Sequence, residues 1–323
     1  MPGASEPPRA LAIVGPTASG KTALACQLAA ALGDVELVSV DAFAIYRHMD
    51  IGTAKPTAAE RAAARWHLVD IADPNEEYSV ARFQAAARDA LAQIARAGHR
   101  PVLVGGTGLY HRAVIDDLAL PGRYPEVAVA LEEELARVGP EALHARLSAL
   151  DPDAARRILP TNARRIVRAL EVTLGSGRPF SASGPGLHAY GPSRFVQLGL
   201  ELDRAELDRR IEARFDAQLA GGFLGEVAAL VAAPGGLSRT AGAALGYATL
   251  AAHLRGEITL AAARAEILRR TRSFARRQES WFRRDPRVLW VRAGAPDLVA
   301  RVGALLSGAA PPGSSGEAAE VGG

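Results

Sequence analysis

The sequence is poor in cysteine, lysine, methionine and aromatic residues. A single cysteine, Cys26, rules out an internal disulfide and any cysteine-built zinc site. It falls within an apolar helical stretch and reads as a packing residue. No apolar run is long enough to span a bilayer. The opening residues, MPGASEPPRA, lack the apolar core of a signal peptide, so a cytoplasmic protein with no membrane partner is expected. Lysine occurs only at Lys21 and Lys55 among 38 basic residues, and arginine supplies the rest. Against 35 acidic residues the net charge is only +3, yet the pI is about 9.3. A general arginine bias accounts for most of this, and the excess points weakly to a phosphate-rich partner. What is present is a globular composition, 49% hydrophobic and 23% charged, in a chain of 323 residues that can bury a sizeable core.

One of the two lysines closes the stretch LAIVGPTASGKT, which fits G-x-x-x-x-G-K-[ST] with Gly15, Gly20, Lys21 and Thr22. The apolar run before it reads as a buried strand, and KTALACQLAAAL after it reads as a helix. In such a loop the backbone N–H groups and the helix N-terminus cradle two phosphates. Lysine adds a compact charge, and the Thr22 hydroxyl is placed to ligate Mg²⁺. The motif implies a diphosphate and a metal; it does not say whose diphosphate.

Further along, VELVSVD reads as a strand ending at Asp41, EYSVARFQAAARDALAQIARAG as an amphipathic helix, and RPVLVGG as a third strand leading into TGLY. Strands alternating with helices predict an α/β fold with a parallel, doubly wound sheet, whose ligands gather at the C-terminal strand ends. Gly15, Asp41 and Gly105 lie there. Asp41 suits either a metal-organising acid or a general base, and the Thr107 hydroxyl suits a hydrogen bond to a leaving oxygen. From about Pro121 to 190 the pattern is helical, and SRFVQLGLEL then restores a strand. The expected organisation is therefore a core over 9–120, a helical insertion over 121–190, the rest of the core over 191–307, and disordered tails at 1–8 and 308–323.

The stretch EILRRTRSFARRQESWFRR winds into a two-faced helix. Ile267, Phe274 and Trp281, with Leu268, Ala275 and Phe282, form the apolar face. Arg269, Arg270, Arg276, Arg277, Arg283 and Arg284 cover the opposite arc, a density that suits tracking of phosphates. Gln278 and Thr271 interrupt the apolar face. The amide of Gln278 carries the donor–acceptor pair that fits an adenine edge.

Taken together, GPTASGKT, DAFAIYRHMDIGTAKPT, HLVDIADPNEEYS, VGGTGLY, RRIVRALEVTLGSG, RIEARFDAQLAGGFLGEV, LGY and TRSFARRQESWFRR occur in the order found in bacterial tRNA dimethylallyltransferases, and the chain resembles that family from about Leu11 to Val291. The resemblance implies a P-loop core and a monomeric, Mg²⁺-dependent prenyltransferase. Such an enzyme moves the dimethylallyl group of dimethylallyl diphosphate onto N6 of adenosine 37, just 3′ of the tRNA anticodon. It implies a diphosphate cradle of Gly15, Pro16, Thr17, Ala18, Ser19, Gly20, Lys21 and Thr22 with Arg214. Asp41 would take the N6 proton and Thr107 would hydrogen-bond the bridging oxygen. Contacts to the anticodon stem-loop of tRNA would come from Asp41, Ala42, Phe43 and Ala44; from Arg164, Arg165, Ile166, Val167 and Arg168; from Ala243, Ala244, Leu245, Gly246, Tyr247 and Ala248; and from Arg276, Arg277, Gln278, Trp281 and Arg283.

The chain departs from the family pattern at Ala42, where serine is usual, and at Ala44, Ala128, Ala163 and Ala248, where polar or charged residues are common. These changes imply thinner RNA contacts. They leave Lys21, Thr22, Asp41, Thr107 and Gln278 in place. Three rival readings share the same residues: a small-molecule kinase using the loop with ATP, a non-catalytic RNA-binding module, and a prenyltransferase of free adenine nucleotides. The helical insertion and the arginine helix favour a polymeric substrate.

Overall fold

Short apolar runs build the sheet. In a computed structural model, which describes residues 10–184, 186–187 and 189–307, strands β1 (Ala10–Val14), β2 (Val35–Ser39) and β4 (Arg100–Val104) fall where the sequence predicts them. So do β5 (Phe195–Glu201) and β6 (Val288–Arg292). The sixth strand, β3 (Trp66–His67), is too short to leave a period in the sequence. All neighbours are parallel, in the order β3-β2-β4-β1-β5-β6. Because both faces are covered, the central strands are apolar throughout rather than alternating. Leu11 and Ile13 face one layer with Leu24 and Leu28, while Ala12 faces the other with Phe83 and Ile94. The expected tails at 1–8 and 308–323 lie outside the described residues.

The helices follow their caps. Helix α1 (Lys21–Leu32) starts at Gly20 with no side-chain cap, which leaves its first N–H groups unclaimed among the described residues. By contrast, α2 (Ala58–Ala63) has a full capping box between Thr57 and Glu60, and Ser79 caps α3 (Val80–Arg96) by accepting from Arg82 N–H at 3.2 Å. Helix α4 (Gly108–Ile115) follows β4 directly. The chain crosses from β1 to β2 on one side and from β4 towards β5 on the other, so the crevice between these crossovers opens at the strands' C-terminal ends.

Residues Asp116–Gly191 form a compact unit of their own, slightly wider than the insertion predicted at 121–190. It holds α5 (Pro125–Leu150), α6 (Pro152–Arg157) and α7 (Ala163–Ser176). Helix α5 breaks at Gly139, whose φ of 79° precedes Pro140, as the two predicted helical segments require. Leu131, Leu143, Leu147, Ile158, Ile166 and Leu170 make its separate core. Its first turns are tied down where Tyr124 N–H donates to Glu171 Oε1 at 2.8 Å and Arg168 donates to the Pro121 carbonyl at 2.8 Å.

The remaining helices return to the other unit: α8 (Arg204–Ala220), α9 (Phe223–Ala232), α10 (Tyr247–Leu254), α11 (Leu260–Phe282) and α12 (Leu298–Ser307). Among the described residues no single helix is long and apolar enough to cross a membrane. The bent pair α8 and α9 shares an apolar stretch, but α8 is rich in charge and Leu207, Ile211, Phe215, Phe223, Val227 and Leu230 are all buried in the core.

Candidate active site

The loop between β1 and α1 is shaped by its backbone. Gly15 has a φ of +139°, and a Cβ there would stand 2.7 Å from the Leu200 carbonyl oxygen on β5, so no other residue fits. Ala18, at a φ of 64°, turns the loop back towards the helix. The Ser19 hydroxyl is buried with no partner among the described residues, an orphan that a bound anion can satisfy. The loop opens on a cleft of about 380 Å³ lined by Thr17, Ala18, Gly20, Lys21, Thr22, Asp41, Gly105, Gly106, Arg214 and Gln278 among others. A smaller, more apolar recess of about 90 Å³ adjoins it, bounded by Thr17, Asp41, Phe43, Arg214, Phe215 and Phe274.

Two cations stand over this cradle. Lys21 Nζ donates to the Pro16 carbonyl at 2.6 Å, and Arg214 Nη1 donates to Thr17 Oγ1 at 3.3 Å. Burial, followed by repulsion from Arg214, pushes the Lys21 ammonium down to about 7, against the pull of Asp41. Burial likewise holds the Arg214 guanidinium below its ordinary value, with Asp41 opposing. Two desolvated cations sharing one nearby carboxylate leave a surplus of positive charge, the arrangement an anion stabilises.

Asp41 lies just past β2, and its Oδ1 accepts from the N–H groups of Phe43 and Ala44 at 2.8 and 3.2 Å. No hydrogen bond within the described residues occupies its other oxygen, which is therefore free to take a proton or face a metal. Thr107, at the start of α4, accepts from Ala42 N–H at 3.2 Å through Oγ1 and keeps its own proton to donate. It is thus tied beside Asp41. The donor set also answers whether Mg²⁺ fits. Among the described residues no group of three His, Cys, Asp or Glu side chains could hold a metal. The Thr22 hydroxyl and the Asp41 carboxylate are hard oxygen donors, and Mg²⁺ takes few protein ligands when phosphate oxygens and water complete its shell. The residues fit such an ion only together with a diphosphate.

Several expectations about the arginine helix change in the folded protein. Gln278 is buried, and both ends of its amide are taken: Oε1 accepts from Thr17 N–H at 2.8 Å and Nε2 donates to the Gly106 carbonyl at 3.0 Å. It joins the phosphate loop to the turn after β4 and does not offer an adenine-reading edge. Arg283 lies over the Trp290 ring and pairs with Glu201 and Glu279 at 2.9 and 3.1 Å, so it is not a free phosphate contact. Arg269 is held by Glu266, whereas exposed Arg270, Arg276 and Arg284 have no carboxylate within 4.0 Å among the described residues. Arg277 is exposed but donates to Ser273 and lies over Phe274. Trp281 is half-buried with Val14, Phe282 and Trp290.

Elsewhere, Arg164 and Arg165 are exposed on α7, Arg168 is bound to the Pro121 carbonyl, and Ile166 and Val167 are buried in the helical unit's own core. Ala244 and Tyr247 are buried and Gly246 starts α10, so in the Ala243–Ala248 segment the exposed side chains are Ala243 and Ala248. The burial of Ile166, Val167, Ala244 and Tyr247 excludes direct side-chain contact with RNA in this conformation. Arg276→Glu is expected to weaken RNA binding and to lower the slope of log affinity against log salt by about one or two, because one phosphate contact is lost and a negative charge added. A slope unchanged in filter-binding titrations over a range of salt would return Arg276 to the solvated surface.

Residues that the sequence reading passed over also border the cleft. Lys55, the second lysine, lines it and is almost fully buried, with its ammonium 2.6 Å from both Asp50 and Asp70. The scarcity of lysine was the available signal. Thr53 lines both cavities.

Comparison with known proteins agrees with this architecture. A family model described as IPP transferase matches residues 44–285, and one described as isopentenyl transferase matches residues 8–72. A tRNA dimethylallyltransferase of a Nocardioides species is 50% identical over 92% of this chain and 95% of its own length. The enzyme of the same name from Streptomyces coelicolor is 50% identical over 92% of this chain and 94% of its own. The crystal structure of the full-length tRNA isopentenylpyrophosphate transferase of Bacillus halodurans superposes with a TM-score of 0.67 at 36% identity, covering 93% of this chain and 96% of that one. A eukaryotic dimethylallyltransferase solved while acting on tRNA shares the fold at a TM-score of 0.77 and 22% identity. With its phosphate loop, its parallel sheet and half its residues in common with such relatives over nine-tenths of its length, the chain belongs to the IPP transferase family.

Proposed function

We propose that this chain transfers the dimethylallyl group of dimethylallyl diphosphate to N6 of adenosine 37 in tRNA, releasing diphosphate. The observation that carries the reading is the pair Lys21 and Arg214, two desolvated cations over the uncapped start of α1, with Asp41 lining the same cleft. In the proposed reaction the N6 nitrogen attacks C1 of the allyl group as the C1–O bond breaks, and the bonding pair leaves on the diphosphate oxygen. The loop amides, Lys21 and Arg214 stabilise that growing charge. Asp41 receives the N6 proton on the oxygen not held by Phe43 and Ala44, and the Thr107 hydroxyl donates to the leaving side. Mg²⁺, held through Thr22 and the substrate's own oxygens, supplies further charge neutralisation when bound.

An exocyclic amine in a stacked anticodon loop cannot reach this cleft, so the adenosine must leave its stack. The exposed Arg164, Arg165 and Arg276 supply phosphate contacts for the anticodon stem-loop. In this reading the protein works as a monomer in the cytoplasm, where tRNA is. The direct test is incubation with tRNA, dimethylallyl diphosphate and Mg²⁺, followed by mass spectrometry of the digested nucleosides. An adenosine heavier by one dimethylallyl group is expected, mapped to position 37. Consumption of ATP with no such nucleoside would support the kinase reading, and prenylation of free adenine nucleotides alone would remove tRNA as the acceptor.

A further inference from the structure

Three consecutive backbone amides, Asp50 to Gly52, converge on one side chain. Glu226 Oε2 accepts from the N–H groups of Asp50 and Ile51 at 2.7 Å each, and Glu226 Oε1 accepts from Gly52 N–H at 3.1 Å. The Tyr247 hydroxyl donates to the same Oε1 at 2.7 Å. Burial, and then the Glu226 carboxylate, hold the Tyr247 phenol far above its ordinary value, so it remains a donor. A run of converging N–H groups is the shape that binds anions in other proteins, and here the chain supplies the anion itself.

Two further side chains pack on this loop. Gln218 donates to the Ile51 carbonyl at 2.5 Å, and a Cβ at residue 52 would stand 2.2 Å from the Phe223 ring. The loop also borders the cleft: Thr53 lines both cavities, and Gly52 lines the smaller together with Gln218 and Phe223. Gln218 sits one helical turn beyond Arg214 on α8, so one helix grips this loop and reaches Thr17 of the phosphate loop.

We infer that Glu226 and Tyr247 are a positioning pair that fixes the Gly52–Thr53 wall of the cleft opposite Thr17, Asp41 and Arg214, and thereby sets how the allyl group and the adenosine meet. Neither residue touches the reacting atoms. The inference rests on the prenyl transfer proposed above.

Tyr247→Phe keeps the ring against Gly52 and Phe223 but cuts the link to Glu226. Glu226→Gln keeps the shape and replaces one acceptor with a donor. With both substrates saturating, the single-turnover rate is expected to fall about tenfold in Tyr247→Phe and about a hundredfold in Glu226→Gln, the scale of a small misplacement of reactants. The KM for dimethylallyl diphosphate should stay within about twofold of the unaltered protein, since the phosphate loop is untouched. The double variant should be no slower than Glu226→Gln alone, because the two residues act as one unit. Amides 50–52 should lose hydrogen-exchange protection in both variants, a readout that needs no turnover. The inference is overturned by unchanged exchange at these amides, by an unchanged rate, by effects of the two substitutions that multiply, or by a KM that rises while the saturated rate holds. Failure of the unaltered protein to prenylate tRNA would instead remove the activity proposed above, and the exchange measurement would still decide whether the clamp exists.

Discussion

Lys21→Ala is expected to slow single-turnover prenyl transfer by about 10²–10³-fold, the loss seen when one preorganised donor to a developing oxyanion is removed. The ammonium acts where charge grows, on the departing diphosphate, so the chemical step should suffer more than RNA binding. Because burial and Arg214 bring Lys21 down to about 7, its charge in the free protein depends on pH. A bound diphosphate favours the charged form and raises that value again. Above pH of about 7, therefore, binding must take up a proton, and affinity falls as pH rises, by at most about tenfold per unit. Below that pH the ammonium is already charged and this dependence disappears. Calorimetry in two buffers of different ionisation enthalpy measures the uptake. Lys21→Arg, which keeps the charge but cannot lose it, should abolish Lys21's share of it. Equal proton uptake in the unaltered protein and in Lys21→Arg would place the titrating group elsewhere, and a full rate in Lys21→Ala would end the assignment of this loop to the leaving group.

The second large effect is expected at Asp41. Asp41→Asn preserves size and leaves an oxygen for the Phe43 and Ala44 amides, but it cannot accept a proton at neutral pH. If Asp41 is the base, transfer slows by roughly 10²–10⁴-fold while binding of tRNA and of dimethylallyl diphosphate survives. If Asp41 instead organises the metal, excess Mg²⁺ restores much of the rate. Single-turnover rates against Mg²⁺ concentration for both forms separate the two roles, and recovery at high metal would remove the base assignment while leaving the transferase intact.

What could be read from the sequence follows from how far apart the partners are. The phosphate loop was legible because strand, glycines, lysine and helix are contiguous. Asp41 and Thr107 were legible because each ends or follows an apolar run, and a parallel sheet brings such ends together. The two-residue strand Trp66–His67 was not, since two residues carry no period. The role of Gln278 was also hidden: helical spacing placed it on the buried face, but its partners lie 261 and 172 residues away. Arg283 belonged to the arginine arc by winding alone, and only the fold brings Glu201 and Trp290 to it. Glu226 had no local signal at all, because its function is to satisfy amides some 175 residues earlier in the chain.

The scarcity of lysine has a chemical consequence. An acylating or reductively alkylating reagent attacks neutral amines, and ordinary lysines are nearly all protonated at neutral pH. This chain has two lysine side chains to offer, and Lys55 is buried between two carboxylates. Lys21, with its ammonium near neutrality and its side chain on an open cleft, is the lysine poised to react. A mild electrophile applied near pH 8 should therefore mark the phosphate loop selectively among the lysines, and a diphosphate seated in the loop, by returning the proton to Lys21, should shield it. The molecule thus carries a built-in covalent reporter of whether its anion site is filled.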